Sequence, residues 1–298
     1  MSAAWLAQRE RGTTFALRLI VWIARALGRP VGRALLYPIC AYFLCFSFAS
    51  RRASCRYLAC VLGRAPRARE IFRHYHTFAA VLLDRIFFLS GRGDDFMVNV
   101  TGETEMASLL SRRDGCVLLG AHFGSLDVLR MVGASRSGVE LRLAMFEDNA
   151  QNVARVFGGL NPRLRETIIA LGAPEAMLAL KDTLDRGGIV GMLGDRVRAG
   201  GRTLRCDFLG VAADFPAGPL QVACALRRPV AIGLGVYRGD RRYDVHFETL
   251  VDTWPTERNL REHAIDDALR RYAARLEQWC RAAPCNWFNF YDFWADEP

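Results

Sequence analysis

The feature that most constrains the fold of this chain is a regular alternation of short apolar runs, typical of strands, with segments that have a helical pattern. Between residues 116 and 236, short apolar runs alternate with segments that have helical patterns. Apolar runs of four to eight residues separated by helices are typical of parallel strands that are buried on both faces. The sequence therefore predicts an α/β fold with a mostly parallel central sheet flanked by helices. The predicted strands are residues 116–121, 141–146, 167–170, 189–193 and 230–236, and the predicted helices are 125–132, 150–158, 174–186 and 219–228.

The segments on either side of this alternation extend the prediction. Residues 67–90 have a partly apolar helical pattern, and the alternating run at 96–101 predicts a strand. After the turn at Gly239 and Asp240, residues 243–251 predict another strand, and 260–281 predict a long helix with a polar face. The densely aromatic tail at 286–294 most often indicates core packing, whereas an interfacial belt or a lid over an acyl tunnel is the alternative.

The net charge of +9 arises in the first part of the chain. Residues 1–70 contain twelve arginines and two acidic residues, whereas the remainder carries a net charge of −1. A nucleic-acid-binding protein usually has basic charge on its folded core, so this distribution argues against that class. Basic charge beside apolar helices instead favours an anionic membrane surface.

Two apolar segments accompany the basic charge. Residues 15–27 predict a basic amphipathic helix, and 35–49 form an uncharged apolar segment that contains Pro38. That segment is shorter than the about 20 residues that span a bilayer. The sequence favours an interfacial or re-entrant helix pair, with a true membrane span or a buried core helix as alternatives. We accordingly predict a membrane-associated helical segment at 1–70 and an α/β domain at 71–298.

The clearest candidate for chemistry lies at 120–127, where the sequence reads GAHFGSLD. His122 follows an apolar strand, and in an open α/β sheet reactive groups collect at the carboxyl ends of the strands. Gly124 permits a close backbone approach, and Ser125 is suited to cap the next helix. The amino terminus of that helix offers N–H groups for a developing oxyanion.

Asp127 lies in the first turn of the same predicted helix. From there we predict that its carboxylate hydrogen-bonds to His122, which fixes the imidazole tautomer and makes the ring a better general base. The alternative is a strand-end histidine followed by an acidic capping residue, which is a common structural arrangement.

A second group of candidates follows later strands. Asp195 and Arg196 come directly after the run at 189–193, so they are predicted to reach the same sheet edge. Arg196 is suited to bind a phosphate, with Asp195 holding it in place, and a surface ion pair is the alternative. Pro216 and Gly218, in the turn at 215–219, are predicted to shape an acyl or acceptor channel, although a simple turn explains them as well.

Several kinds of site are not indicated by the sequence. The nine cysteines include no CxxC pair, and their odd number argues against a disulfide framework. The sequence contains no GxSxG, Walker A, HExxH or strand-following GxGxxG motif. It therefore predicts no bound metal and no cofactor.

The order of these motifs resembles a known family. The H-x4-D pattern is similar to the lysophospholipid acyltransferase superfamily, and more closely to its bacterial lipid A late (lauroyl/myristoyl-type) acyltransferase branch. Many lipid A enzymes of this branch carry Glu where this chain has Asp127. The aromatic tail resembles that of relatives associated with aryl-polyene-type lipids. The resemblance is also carried by Trp5 together with residues 10–12, and by residues 194–196, 208–210, 215–219 and 228–230.

The resemblance implies a function. His122 would deprotonate a hydroxyl of a lipid or glycolipid acceptor, and Asp127 would orient it. The activated oxygen would attack the thioester of acyl-carrier protein or acyl-CoA without a covalent enzyme intermediate. Gly124, Ser125, Asp195, Arg196, Pro216 and Gly218 would bind substrate, and Asp148 and Asn149 are candidates for the acceptor side. The expected location is the cytoplasmic face of a bacterial inner membrane. The alternative is a non-catalytic peripheral membrane protein that uses this fold to hold lipid.

Overall fold

A seven-stranded sheet is the centre of the computed structural model. The structure describes residues 14–136, 139–146, 160, 161, 166–172, 175–197 and 200–294, so the predicted helix at 150–158 and the candidates Asp148 and Asn149 lie outside the described residues. The strands of this sheet are β1 (Met97–Thr101), β2 (Cys116–Gly120), β3 (Leu141–Phe146), β4 (Ile168–Leu171), β5 (Ile189–Leu193), β8 (Val230–Gly239) and β9 (Arg242–Val251).

The strand order in this sheet is β1-β9-β8-β2-β5-β3-β4. The only antiparallel neighbours among these strands are β8 and β9, which form a hairpin; every other neighbouring pair is parallel. The central strands β2 and β5 are almost entirely buried, as expected for strands that are covered on both faces. The predicted α/β architecture with a mostly parallel sheet is therefore confirmed.

Helices flank the sheet and cover its apolar residues. They are α3 (Ala68–Leu89), α4 (Glu103–Ser111), α5 (Leu126–Arg136), α6 (Ala176–Asp185), α7 (Gly218–Ala225) and α8 (Arg258–Ala282). Helix α5 begins after Ser125, whose hydroxyl accepts a hydrogen bond from the N–H of Val128 at 3.3 Å, which is the predicted capping role. This cap fixes the start of the helix directly after His122.

A separate two-stranded sheet lies outside the predicted pattern. Strands β6 (Thr203–Phe208) and β7 (Val211–Pro216) form an antiparallel hairpin that packs against α8. The sequence predicted only a rigid turn near its end. Leu209 adopts a positive φ of 56° at the tip of the hairpin, next to Gly210, so the two strands reverse within two residues.

The amino-terminal helices differ from the prediction in their boundaries. Instead of separate helices at 15–27 and 35–49, the chain forms α1 (Thr14–Phe46) and α2 (Phe48–Leu62). Helix α1 is kinked at Gly28, which has a φ of 81°, and Pro30 follows in the next turn. The second break falls at Ser47, so the apolar run is divided between two helices.

Both amino-terminal helices share the hydrophobic core of the rest of the chain. Leu36 and Cys40 of α1 and Tyr57 and Leu58 of α2 are buried in the same apolar cluster as the central strands. The charge composition of the sequence changes at residue 70. That this position is also a domain boundary stays a prediction.

A buried ion pair also attaches α1 to the core. Arg29 donates to Asp84 of α3 at 2.7 and 3.0 Å, and the Tyr243 hydroxyl donates to the same carboxylate at 2.9 Å. Asp84 is fully buried and Arg29 nearly so. Removing one member would leave a charge without its partner in the core, which is strongly destabilising.

The outer face of α1 and α2 carries large apolar side chains that contact solvent. Among the described helices, none is by itself long and apolar enough to cross a bilayer. Residues 21–46 and 48–62, which meet at a bend of 95°, satisfy that criterion only as a pair, on length and composition. The exposed apolar side chains of α1 and of the first residue of α2 are Trp22, Leu27, Val31, Leu35, Tyr37, Tyr42, Phe46 and Phe48.

Candidate active site

The register of two neighbouring parallel strands places His122 opposite Asp195. Gly120 at the end of β2 pairs with Leu193 at the end of β5. The N–H of Gly194 donates to the carbonyl of Gly120 at 3.0 Å, so the two segments remain hydrogen-bonded just beyond the strands. Two residues after the end of each strand, a polar side chain lies at the carboxyl edge of the sheet. In open α/β sheets this edge is where ligands bind.

The imidazole of His122 and the carboxylate of Asp195 form a close pair. His122 Nδ1 lies 2.8 Å from Asp195 Oδ1, and the His122 backbone N–H donates to Oδ2 at 2.9 Å. Because an ionised carboxylate only accepts hydrogen bonds, this contact assigns the proton to Nδ1 and leaves the Nε2 lone pair available. The His122 side chain is 28% exposed, whereas Asp195 is 2% exposed. The pair therefore has one buried and one accessible end, an arrangement that is suited to a general base.

The electrostatics of the pair favour a neutral imidazole beside an ionised carboxylate. Burial and the positive charge of Arg196 lower the pKa of His122, against the opposing effect of Asp195. Burial by itself would raise the pKa of Asp195, but the interactions with His122 and Arg196 outweigh it and lower that pKa. At neutral pH the ring is consequently ready to accept a proton.

The segment after His122 is held by the backbone of neighbouring elements. Gly124 has a φ of 59°, and a Cβ there would meet the carbonyl oxygen of Gly235 at 1.9 Å, so only glycine fits. The N–H of Gly124 donates to Asn286 at 2.8 Å, and the N–H of Ser125 donates to Gly235 at 2.7 Å. Both groups are thus used to hold the loop and do not remain for an oxyanion.

The position of Asp127 differs from the prediction. The sequence assigned to Asp127 the orienting hydrogen bond to His122, whereas the structure gives this bond to Asp195. The Asp127 carboxylate instead lies 3.2 Å from Arg85 Nε of α3 and 3.7 Å from the Arg130 guanidinium. The reason is geometric: α5 turns the side chain of Asp127 toward α3, while the parallel register of β2 and β5 brings Asp195 beside the ring.

The aromatic tail completes the surroundings of the pair. The indole N–H of Trp287 donates to Asp195 Oδ2 at 2.9 Å, and the N–H of Phe288 donates to the His122 carbonyl at 2.7 Å. The side-chain amide of Asn286 bonds to both backbone groups of Tyr237 in β8. The predicted core-packing role of the tail is confirmed, since Trp287, Phe288 and Trp294 are buried.

Arg196 lies beside the pair and contacts the tail. Its guanidinium donates to the carbonyl of Phe288 at 3.3 Å and lies 5.7 Å from the centre of the Tyr291 ring. The Asp195 carboxylate accepts hydrogen bonds from His122 and Trp287, and the positive charge of Arg196 also contributes to its lowered pKa. The role of Asp195 in holding Arg196 stays a prediction. Arg196 nevertheless adds positive charge next to the accessible imidazole.

Comparison with known protein families gives one result that covers nearly the whole chain. The family model of bacterial lipid A biosynthesis acyltransferases matches residues 3–295. The chain belongs to this family. No curated protein matches it. The resemblance inferred from the order of the motifs is therefore confirmed, and acyltransferase activity follows from family membership.

In this acyltransferase, an apolar cleft lies between the central strands of the sheet and α5. It is formed between β2, β3, β5 and α5, and Gly233 of β8 contributes to its floor. A Cβ on Gly120 would lie 3.4 Å from Leu193 and 3.5 Å from Leu126, which both line the cleft. A side chain at Gly120, two residues before His122, would therefore occupy part of the cleft between these two leucines.

The other predicted substrate-binding residues of the acyltransferase are less directly connected to the pair. Pro216 ends β7, and Gly218 begins α7, where a Cβ would meet no atom within 4 Å. No described contact joins either residue to His122 or Asp195. Their neighbour Phe215 is buried and packs against Phe293 of the tail, so this turn supports the site through aromatic packing.

The acyltransferase shows no grouping of three or more His, Cys, Asp or Glu side chains suited to a metal within the part of the chain that the structure describes. All nine cysteines are free thiols. The side-chain groups at the site that are suited to catalysis or binding are thus the imidazole of His122, the carboxylate of Asp195 and the guanidinium of Arg196.

Two features of the site were missed from the sequence. The role of Asp195 was obtainable in principle, because His122 and Asp195 each lie within two residues of the end of an apolar run, which predicts adjacency once the two strands are neighbours. The order of strands is a tertiary property, however, and no local pattern gives it. The contact of Trp287 with Asp195 spans 92 residues and carries no sequence signal.

Proposed function

We propose that this acyltransferase moves a fatty acyl group from an acyl thioester, carried by acyl-carrier protein or CoA, to a hydroxyl of a lipid or glycolipid acceptor, with His122 as the general base. The observation that carries the proposal is the hydrogen bond of His122 Nδ1 to Asp195 at the carboxyl edge of the sheet, with the other ring nitrogen accessible. A base that is held on one side and open on the other is suited to remove a proton from a bound hydroxyl.

The reaction proceeds in two steps. His122 Nε2 takes the hydroxyl proton of the acceptor while the oxygen forms a bond to the thioester carbonyl carbon. The tetrahedral intermediate then collapses with cleavage of the C–S bond, and the leaving thiolate receives the proton from the imidazolium. The products are an ester and a free thiol, so His122 returns to its neutral state. The ionised carboxylate of Asp195 stabilises the imidazolium between the two steps.

Arg196 supports the binding of the polar part of a substrate. Its guanidinium is fixed by the carbonyl of Phe288 and the ring of Tyr291, and it lies close enough to His122 to lower the pKa of the ring. A planar guanidinium is suited to a phosphate of the donor or acceptor. The remaining arginines of the amino-terminal segment are suited to the acidic surface of an acyl-carrier protein.

Asp127 contributes through the arginines that surround it. Arg85 and Arg130 share its carboxylate, and Arg130 also donates to Thr167 at 2.7 Å. Both guanidiniums therefore lie beside the first turn of α5, directly after the catalytic loop. We assign to Asp127 the positioning of these cations, and the substitutions described in the Discussion separate this role from direct orientation of His122.

The apolar cleft is suited to the acyl chain. Its walls are leucine, methionine and alanine side chains together with three glycines, and one of these is Gly120, which precedes His122 by two residues. An acyl chain in this cleft would place its thioester carbon near the imidazole. Burial of each methylene group contributes about 0.8 kcal/mol, so the cleft is a source of donor affinity.

The exposed apolar face of α1 and α2 is suited to a lipid bilayer. Tyr42, Phe46 and Phe48 surround the bend between the two helices, where each is more than half exposed. Arg51 and Arg52 follow within one turn, so anionic headgroups would be contacted at the same place. We propose that this face docks the enzyme on the cytoplasmic side of the bacterial inner membrane, where the acceptor lipid is reached.

Product analysis tests the proposed function. Purified enzyme is incubated with a series of acyl-carrier-protein and CoA donors and an extract of bacterial membranes, and the lipids are identified by mass spectrometry together with the release of free thiol. We expect one new acylated lipid with the wild-type enzyme and none with His122→Ala. Equal product from both proteins would refute the mechanism. Lipid binding without thiol release would indicate a non-catalytic lipid carrier.

A further inference from the structure

The carboxylate that orients His122 is itself held by a tryptophan. The indole N–H of Trp287 donates to Asp195 Oδ2 at 2.9 Å, and the indole is completely buried. An indole N–H is a donor only, so this bond has one possible direction. Asp195 therefore accepts three hydrogen bonds, two of them from His122 and one from Trp287.

We propose that Trp287 is a positioning residue of the catalytic site, in a hydrogen-bonded series that runs from Trp287 to Asp195 to His122. The inference rests on the proposed role of His122 as the base. Trp287 does not contact substrate; it fixes one carboxylate oxygen so that the other points at the imidazole. Partners of this kind set the orientation and the basicity of the group that performs the chemistry.

The indole has the rigidity that this role requires. Its ring packs edge-on against Tyr57, Phe208 and Phe293, with ring centres 4.9–5.2 Å apart. The carbonyl of Trp287 accepts a hydrogen bond from the buried ring of His74 at 2.8 Å. A donor enclosed by aromatic rings and fixed at its backbone costs little further entropy when it binds the carboxylate.

The same segment also holds the backbone of the catalytic histidine. The N–H of Phe288 donates to the carbonyl of His122 at 2.7 Å, and the carbonyl of Asn286 accepts the N–H of Gly124 at 2.8 Å. These two bonds form a short antiparallel bridge on either side of Trp287 and Phe123. The tail thus fixes His122 by its main chain and Asp195 by a side chain, which makes the geometry of the pair depend on one segment.

The loss of the indole N–H has a predictable chemical consequence. With one donor fewer, Asp195 carries more negative charge toward the imidazole, which stabilises the protonated ring and raises the pKa of His122. The carboxylate also gains rotational freedom, so a smaller fraction of the molecules holds the ring in the productive orientation. The loss of orientation lowers kcat, and the raised pKa lowers the fraction of neutral imidazole in acidic solution. Substrate affinity is unchanged because the buried indole does not contact substrate.

The test replaces the N–H while keeping the aromatic packing. Trp287→Phe removes the donor, and incorporation of 3-benzothienylalanine at position 287 replaces N–H by sulfur with nearly the same ring shape, so it remains informative if the smaller ring impairs folding. Trp294→Phe is the matched control. Trp294 lies in the same aromatic cluster and is buried, but its indole nitrogen bonds to none of the described residues.

We expect about a tenfold lower kcat for both Trp287 variants, with KM within about twofold of wild type. The acid limb of their kcat/KM profile should move to higher pH, and Trp294→Phe should match wild type in both respects. A wild-type rate and pH profile for the benzothienylalanine variant would overturn the inference. Equal losses in the Trp287→Phe and Trp294→Phe proteins, without a shift of the profile, would also overturn it.

His122→Ala and Asp195→Asn, measured in the same series, separate this inference from the proposed function. If both remain active, the proposed base is wrong, whatever the Trp287 variants show. If both are inactive while the benzothienylalanine variant behaves as wild type, only the role of Trp287 is refuted.

Discussion

At the scale of single residues, the proposed mechanism depends on the charge of one imidazole. Burial and Arg196 stabilise the neutral form of His122, and Asp195 opposes them in part. The balance lies on the neutral side, since the pKa of His122 is lowered from 6.5. A base that is neutral at physiological pH does not have to lose a proton before each turnover, which favours catalysis across the neutral range.

This balance predicts the pH dependence of the rate. Because the neutral imidazole is the active form and its pKa is lowered, the midpoint of the acid limb of kcat/KM should lie below pH 6.5, the ordinary pKa of histidine. Arg196→Gln removes the neighbouring positive charge, so the acid limb should move to higher pH. The measurement is a pH–rate profile with a soluble thioester donor. An acid limb that is the same in both proteins would show that Arg196 does not act on His122.

At the scale of secondary-structure elements, a buried histidine connects α2, α3 and the tail. His74 is fully buried, and its Nε2–H donates to the carbonyl of Trp287 at 2.8 Å. The Nδ1 atom then accepts from the hydroxyl of Ser54 at 2.8 Å. Both ring nitrogens are satisfied only in the neutral form, and burial accordingly lowers the pKa of His74 from 6.5 to about 4.

The lowered pKa predicts a loss of stability in acid. The unfolded chain takes up a proton at this histidine near pH 6.5, whereas the folded protein resists it down to about pH 4. The free energy of unfolding should therefore fall by about 3 kcal/mol between these two pH values and level off below them. Glutamine does not titrate, so the unfolding temperature of the His74→Gln variant should change less with pH over the same range. An equal slope in the two proteins would contradict the assignment.

The elements that the sequence predicted well are those with a strong local pattern. Residues 141–146 and 189–193 were predicted as strands and form β3 and β5 with the same boundaries, because each is a mostly apolar run bounded by acidic residues or glycines. The β6–β7 hairpin was missed although β6 alternates polar and apolar residues, because β7 begins with three consecutive apolar residues and ends in a proline. Helix α4 was missed as well, because it is only nine residues long and buries just two of its side chains.

The candidate site was predictable in position but not in pairing. The end of an apolar strand located His122, and the same reasoning brought Asp195 to the sheet edge. The choice of Asp127 as the partner followed from nearness in sequence, whereas the structure pairs residues 73 positions apart. Which strand lies beside β2 is decided by the packing of the whole sheet, and that information is absent from the local sequence around the histidine.

At the scale of the whole molecule, the site and the proposed membrane face are parts of one packed unit. Helix α2 contacts the tail through Tyr57, whose hydroxyl donates to the carbonyl of Pro284 at 2.8 Å and whose ring packs against Trp287. Helix α1 is attached through Arg29 and Asp84. A bilayer bound to the outer face of these helices would therefore contact elements that pack against the segments holding His122 and Asp195.

The membrane face predicts a specific effect on vesicle binding. Phe46→Ser combined with Phe48→Ser removes two aromatic rings at the bend, so the fraction of protein bound to vesicles with anionic lipids should fall severalfold. Met177→Ser combined with Leu178→Ser is the matched control, because these side chains are similarly exposed on α6, away from the amino-terminal helices. Co-sedimentation measures the bound fraction. Equal losses in the two double variants would contradict a docking role for the bend.

The measurement that tests the account most directly compares two carboxylates in the acyl-transfer reaction. Asp195→Asn removes the charge beside His122, and we predict a fall in kcat on the order of 10²–10⁴-fold in a protein that remains folded. Asp127→Asn breaks the contacts to Arg85 and Arg130, so it should lower the free energy of unfolding by ~3 kcal/mol but keep kcat within about tenfold of wild type. If Asp127→Asn were inactive while Asp195→Asn kept its activity, the pairing of His122 with Asp195 would not be the catalytic one.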